Sequence, residues 1–124
     1  MIALERAQAA LADSISDDDD VAVAAVTVAE LLVGIELADV RYRDRRAAWV
    51  DGLLSTLHVE EYDLDVARAH AALLAHVKRA GQPRGAHDLI VAATARSRGR
   101  VVVTTDVRGF TDLPGVDLRG LGDR

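Results

Sequence analysis

Three acidic residues stand where their carboxylates could act together. Glu30 lies shortly after the apolar run VAVAAVT, Asp106 directly follows the run VVVTT, and Asp88 opens the apolar segment leading into that second run. Carboxylate oxygens are the ligands that hard divalent ions such as Mg²⁺ and Mn²⁺ prefer. An ion held by such acids stabilises charge on a phosphodiester and lowers the pKa of an attacking water. The residue types therefore indicate metal-dependent hydrolysis.

Alternating strands and helices would position these acids. Residues 21–27 and 101–104 are continuous apolar runs, which is typical of strands buried on both faces of a parallel sheet. Ligands of such sheets bind beyond the carboxyl ends of the strands, the edge where we expect all three acids. The periodicity predicts helices over residues 1–13, 28–38, 42–57, 65–80 and 88–98, and short strands near 59–62 and 116–118.

Each acid also has a purely structural interpretation. Thr27 and Glu30 have the spacing of a capping box, in which two side chains satisfy the first amides of a helix. Asp88 is an acid near a helix N-terminus, where the macrodipole favours negative charge. Asp106 follows a strand, where aspartate is an ordinary turn residue. The convergence of all three on one sheet edge favours the functional interpretation.

Neighbouring polar residues extend the predicted site. Arg84 and Arg108 flank the two aspartates and are predicted to contact a phosphate group. Thr104 and Thr105 are predicted to hydrogen-bond a ligating water or the Asp106 carboxylate. His87 is predicted to cap its helix, with a role as ligand or base as the alternative. His70 lies on the apolar face of its helix and is predicted to be a core residue.

Composition narrows the class of protein. The 124 residues suit one domain, and a net charge of −5 weighs mildly against a protein that mainly grips phosphate backbones. The absence of cysteine excludes disulfides, thiolate metal sites and cysteine nucleophiles. No apolar run approaches the roughly 20 residues that span a bilayer, and the first residues lack a secretion-signal pattern. We therefore expect a cytoplasmic protein with no membrane partner.

Three segments carry a family resemblance. AELLVGIE, GAHDLIVAATA and VVTTD followed by Phe110 resemble the successive motifs of PIN-domain ribonucleases, and most closely those of VapC-type toxins. The resemblance spans essentially the whole chain. It implies a PIN-like three-layer α/β/α fold with a mainly parallel central sheet, RNA cleavage with Mg²⁺ or Mn²⁺, a cognate antitoxin partner and a homodimer. By position, Glu30, Asp88 and Asp106 correspond to three of the family's acidic residues, and Thr104 to a supporting hydroxyl.

The chain departs from the family pattern at its start. The family begins with a short apolar strand ending in an aspartate, just before the helix that here begins IALERA, and this chain shows neither. The resemblance makes that strand central to the sheet and that aspartate the first metal ligand. Either the natural protein carries about ten further residues, the length of a strand and its turn, or the sheet lacks a strand. We expect the former, so that residues 1–124 form a single PIN-like domain that is N-terminally incomplete.

Two functions follow from these observations. The first is a metal-dependent endoribonuclease toxin of a type II toxin–antitoxin system, which hydrolyses RNA phosphodiester bonds. The alternative is a catalytically inactive module that binds an antitoxin partner, because the first acidic ligand is absent. A receiver-like phospho-acceptor domain fits poorly, since Lys78, the only lysine, does not lie near the last strands.

Overall fold

The computed structural model describes residues 20–120, and the helix predicted for residues 1–13 lies outside this range. Within it, helices and strands alternate as predicted, in an α/β arrangement. No helix of the described range is long and apolar enough to cross a membrane. The elements in chain order are β1 (Ala22–Ala24), α1 (Ala25–Glu36), α2 (Val40–Leu54), β2 (His58–Glu60), α3 (Leu64–Ala80), α4 (Ala86–Arg98), β3 (Val101–Thr104), a 3₁₀ turn (Val107–Gly109) and β4 (Asp117–Gly120).

The strands form two parallel pairs. Strands β1 and β2 pair with Ala22 opposite His58, and β3 and β4 pair with Val101 opposite Asp117. Parallel pairing is therefore confirmed for both apolar runs. No strand within residues 20–120 joins the two pairs. The central strand that the family resemblance calls for stays a prediction.

The boundary between β1 and α1 differs from the prediction. The strand ends at Ala24 instead of residue 27, because its pairing with β2 ends at Ala24 opposite Glu60. Beyond that point the main chain has no strand partner within residues 20–120, and the helix satisfies its hydrogen bonds instead. Thr27 consequently lies inside the first turn of α1, whose N-cap is Ala24 with no side-chain cap bond. The capping-box interpretation of Thr27 and Glu30 is wrong.

Helices α3 and α4 form the centre of the core. The buried face of α3 carries Val66, Leu73 and Val77, and it packs in one cluster with Leu89 and the small residues of α4. Leu73, Leu89 and Val66 are almost completely inaccessible to solvent. Burying an aliphatic side chain of this size contributes roughly 1.5–3 kcal/mol. This packing makes α4 a rigid support for the acid in its first turn.

Charged side chains link the start of α3 to the end of α4. Asp63 caps α3 by accepting a hydrogen bond from the Val66 N–H (3.1 Å), and Arg98 at the end of α4 donates to its carboxylate at 2.6 Å. The Val66 hydrogen bond, and then the one from Arg98, lowers the pKa of Asp63 below its usual range. Arg98 Nε also lies 2.9 Å from the buried Glu60. The start of α3 and the end of α4 are thereby joined.

Candidate active site

Asp88 lies in the first turn of α4, half-buried, with Gly85 as the helix N-cap. Its carboxylate makes no hydrogen bond or ion pair with any residue in the described range. The 3₁₀ turn packs directly over it, because a Cβ built on Gly109 would overlap Asp88 Oδ2. A half-buried carboxylate without a protein partner is unusual, since buried polar groups are normally hydrogen-bonded. No hydrogen bond or ion pair from residues 20–120 therefore engages the carboxylate of Asp88.

Glu30 approaches the same helix end from α1. Its Oε1 lies 2.8 Å from Nδ1 of His87, although their orientation is not that of a hydrogen bond. The contact is an ion pair when the imidazole is protonated, and it places Glu30 beside the residue that precedes Asp88. The predicted cap role of His87 is wrong, because the N-cap is Gly85 and no side chain caps α4.

Asp106 is exposed at the end of β3, and its main chain is held by Thr104. The Asp106 N–H donates to Thr104 Oγ1 at 3.0 Å. The Asp106 side chain makes no cap bond to the 3₁₀ turn that follows. The turn-residue interpretation of Asp106 thus lacks the side-chain hydrogen bond that usually motivates it. Thr104 supports the backbone at this position, where the sequence had suggested a contact with the carboxylate or a water.

The two predicted phosphate contacts differ in their surroundings. Arg108 is exposed and makes no hydrogen bond or ion pair within residues 20–120. Arg84 donates from Nη1 to the carbonyl of Gln82 (2.9 Å) and from Nη2 to the carbonyl of Thr111 (3.0 Å). Arg108 can therefore meet a phosphate without giving up a hydrogen bond, whereas Arg84 already makes three hydrogen bonds to main-chain carbonyls.

The donor set suits a hard divalent ion, but its members do not surround one point. Within the part of the chain that the structure describes, no three His, Cys, Asp or Glu side chains are close enough to hold a metal. What the fold brings together is Glu30 with His87, and Asp88 with Gly109. Carboxylate oxygens at Asp88 and Asp106 that have no partner in the described chain match the ligand preference of Mg²⁺ and Mn²⁺. The assignment of the three acids as a metal site stays a prediction.

Sequence reasoning missed two contacts at this site. Gly109 was not recognised as the residue that lies against Asp88, and Arg84 was not linked to Thr111. A glycine in the segment after β3 was the only available signal for the first. No local pattern could indicate the second, because the two residues belong to separate loops.

His70 lies at a distance from this site, on α3. It is half-buried, and its Nδ1 lies 2.8 Å from the Tyr62 hydroxyl. The two rings meet edge to face, with centroids 5.8 Å apart. The predicted core position is therefore only partly correct, because one side of the ring packs while its nitrogen faces a polar partner.

The chain is similar to a known protein family and to solved structures. The model of the PIN-domain family matches residues 2–116. This chain belongs to the PIN-domain family. Among solved PIN structures, VapBC-1 from nontypeable Haemophilus influenzae superposes with a TM-score of 0.81 over 93% of this chain and 84% of that one, at 19% identity. This likeness confirms the predicted three-layer α/β/α fold.

Sequence relatives place the chain near one branch of PIN proteins. A tRNA(fMet)-specific endonuclease VapC of Salmonella typhimurium is 35% identical over 96 residues, which span 77% of this chain and 71% of the relative. Ribonuclease VapC5 of Mycobacterium tuberculosis is 37% identical over 91 residues, spanning 71% and 65%. The structure of DNA-bound VapBC from Salmonella typhimurium has a TM-score of 0.74 at 35% identity, covering 79% and 73%. The predicted resemblance to VapC-type toxins is confirmed.

Proposed function

We propose that this chain is an endoribonuclease toxin of a type II toxin–antitoxin pair, which hydrolyses RNA phosphodiester bonds with Mg²⁺ or Mn²⁺. The observation that carries the proposal is the half-buried carboxylate of Asp88, which has no partner in the described chain and heads a helix packed into the core. The proposal is also supported by a relative, a tRNA(fMet)-specific endonuclease, which is 35% identical across 77% of this chain. No observation favours the inactive antitoxin-binding alternative.

In this proposal, Glu30, Asp88 and Asp106 hold the divalent ion directly or through water. When bound, the ion supplies a water of lowered pKa and stabilises charge on the scissile phosphate. Arg108 binds a phosphate oxygen, since its guanidinium is exposed and free of other contacts within the described range. Thr104 fixes the main chain of Asp106 by accepting its N–H. The core packing of α4 keeps Asp88 in place during the reaction.

Protein partners form the second part of the proposal. Structures of VapBC complexes resemble this chain, and one is described as a toxin–antitoxin system from Mycobacterium tuberculosis. We infer a cognate antitoxin and a homodimer in the cytoplasm. The α1–α2 hairpin supports a protein partner, because Leu37 and Val40 are 81% and 77% exposed beside exposed Leu32, Val33 and Tyr42. Light scattering of the isolated chain tests the homodimer directly.

The deciding experiment is RNA cleavage with Mg²⁺, with Mn²⁺ and with a chelator. Initiator tRNA and total RNA serve as substrates. Asp88→Asn should lower the rate by about 100-fold, the scale expected when a group that stabilises transition-state charge is lost. Asp51→Asn, on the exposed face of α2, is the matched control and should cleave at the parent rate.

Two outcomes would overturn the proposal. One is a folded chain that leaves RNA intact with both metals, and the other is Asp88→Asn cleaving at the parent rate. Circular dichroism of each variant confirms folding. The same assay on a version extended upstream by an apolar strand ending in aspartate tests the predicted first ligand.

A further inference from the structure

One guanidinium joins the two segments that carry the predicted aspartates. Arg84 precedes α4, and its Nη1 donates to the carbonyls of Gln82 (2.9 Å) and Pro83 (3.4 Å). Its Nη2 donates to the carbonyl of Thr111 at 3.0 Å. Thr111 directly follows the 3₁₀ turn and Phe110, in the segment that begins at Asp106. The side chain thus bridges the loop before Asp88 and the loop after Asp106.

The loop after β3 is a compact unit that Arg84 contacts at Thr111. The hydroxyl of Thr111 donates to the Val107 carbonyl at 2.9 Å, and the Phe110 N–H donates to the same carbonyl at 3.0 Å. Phe110 and Leu113 are buried in the core cluster. Arg96, in the last turn of α4, donates to the Pro114 carbonyl at 3.2 Å. Two arginines, one before α4 and one in its last turn, therefore contact this loop at Thr111 and at Pro114.

The contacts of Arg84 leave little for a phosphate. Its Nε is buried and has no hydrogen-bond partner among residues 20–120. A side-on bidentate grip on a phosphate uses Nε together with one Nη. That grip would require Nε to become exposed and an Nη to leave a carbonyl. Arg84 is therefore already occupied by the protein's own main chain.

We propose that Arg84 is a positioning residue that sets the spacing between Asp88 and the Asp106 loop, in place of the phosphate contact predicted from the sequence. The inference rests on the proposed function. Its physical basis is the planar fork of the guanidinium, whose separate donors reach two segments at once. Gly109 lies in the held loop and directly against Asp88. Any shift of the loop therefore changes the surroundings of the Asp88 carboxylate.

Steady-state kinetics separates positioning from phosphate binding. Arg84→Ala and Arg84→Lys should both lower kcat by about 10- to 100-fold, as expected for a small misplacement of reacting groups, with little change in KM. Lysine keeps the positive charge but cannot reach carbonyls on both segments. Arg96→Ala is the control, because it loses a similar hydrogen bond to the same loop, at Pro114 and nearer to β4, and it should keep the parent kcat. Recovery of activity in Arg84→Lys, with the Arg84→Ala loss confined to KM, would make Arg84 a phosphate contact and overturn the proposal.

Two measurements that do not depend on catalysis, hydrogen exchange and Mn²⁺ binding, test the role of Arg84. Amide hydrogen exchange should become faster at residues 106–111 in the Arg84 variants, and near Val116 in Arg96→Ala. Calorimetric titration with Mn²⁺ should show weaker binding for the Arg84 variants only. If the parent chain neither cleaves RNA nor binds Mn²⁺, the proposed function fails, yet the exchange comparison still decides whether Arg84 holds the loop. Unchanged exchange at residues 106–111 in a folded Arg84→Ala or Arg84→Lys chain would overturn the positioning role.

Discussion

Gly109 lies directly against the carboxylate of Asp88. A Cβ on Gly109 would overlap Asp88 Oδ2 and crowd its carboxyl carbon. The contact joins the 3₁₀ turn after β3 to the first turn of α4, so it brings the Asp106 segment to Asp88. Glycine is needed here because of this close approach, the same reason that glycine occurs where a backbone must come near a ligand.

Replacing Gly109 by alanine should therefore damage the site. The new methyl group has to displace either the Asp88 carboxylate or the 3₁₀ turn. We expect RNA cleavage to fall by about 10- to 100-fold, the cost of a small misplacement of catalytic groups. The control is Gly52→Ala in α2, where the added Cβ would meet no atom of the described residues within 4 Å. Equal cleavage rates for the two variants would show that the close approach at Gly109 has no consequence for activity.

Replacing Glu30 should lower RNA cleavage, whereas replacing His87 should leave the free energy of unfolding almost unchanged. Glu30→Gln removes a predicted ligand charge and should abolish most metal-dependent cleavage. His87→Ala removes only the imidazole, and the Glu30 side chain is 62% exposed, so the ion pair is screened by solvent. We expect His87→Ala to change the free energy of unfolding by less than about 0.5 kcal/mol. Chemical denaturation and a cleavage assay check both variants, and a fully active Glu30→Gln would remove Glu30 from the site.

Asp63 should make stability depend on acid pH. Its pKa is lowered from the usual 3.8, first by the Val66 N–H and then by Arg98. A carboxyl with a lowered folded-state pKa stabilises the protein above its unfolded pKa, and this stabilisation is lost as pH falls through the folded value. Asp63→Asn keeps a good helix cap but loses the charge facing Arg98. The Tm of Asp63→Asn should be below the parent's at pH 7. This difference in Tm should shrink as the pH falls below about 3.8, because Asp63 of the parent then becomes neutral too.

The matched control for this effect is Glu61→Gln. Its side chain is exposed and has no ion pair within the described range, while its carbonyl accepts from Arg98. Glu61→Gln should therefore shift Tm less than Asp63→Asn at pH 7. If the difference in Tm between Asp63→Asn and the parent stays constant from pH 7 to pH 3, the charge of Asp63 is not its cause.

Gly52 offers a stabilising change away from the site. It lies exposed within α2, and a Cβ there would meet no atom of the described residues within 4 Å. Alanine loses less backbone entropy than glycine on entering a helix, so Gly52→Ala should raise the free energy of unfolding by about 0.5–1 kcal/mol. Cleavage should not change. Urea denaturation measures the gain, and a destabilised variant would contradict the prediction.

The elements that the sequence predicted well are those with local signals. Helix α3 was expected over residues 65–80 and spans Leu64–Ala80, because its apolar spacing, the Asp63 cap and the left-handed Gly81 all act within the segment. Strand β3 was also predicted at its observed bounds. The end of β1 was misplaced, because it depends on the length of its pairing with β2, and no residue within the run VAVAAVT encodes that length.

By itself, the sequence determined the family, the class of chemistry and the acids to test. The spacing of the motifs and the chemistry of carboxylates can be read from the sequence alone. Only the tertiary structure decided that Gly109 lies against Asp88, that Glu30 meets His87, and that Arg84 holds Thr111. These contacts join residues far apart in the chain. They form because α4 packs into the core and the neighbouring loops pack around its first turn. No local periodicity carries that information.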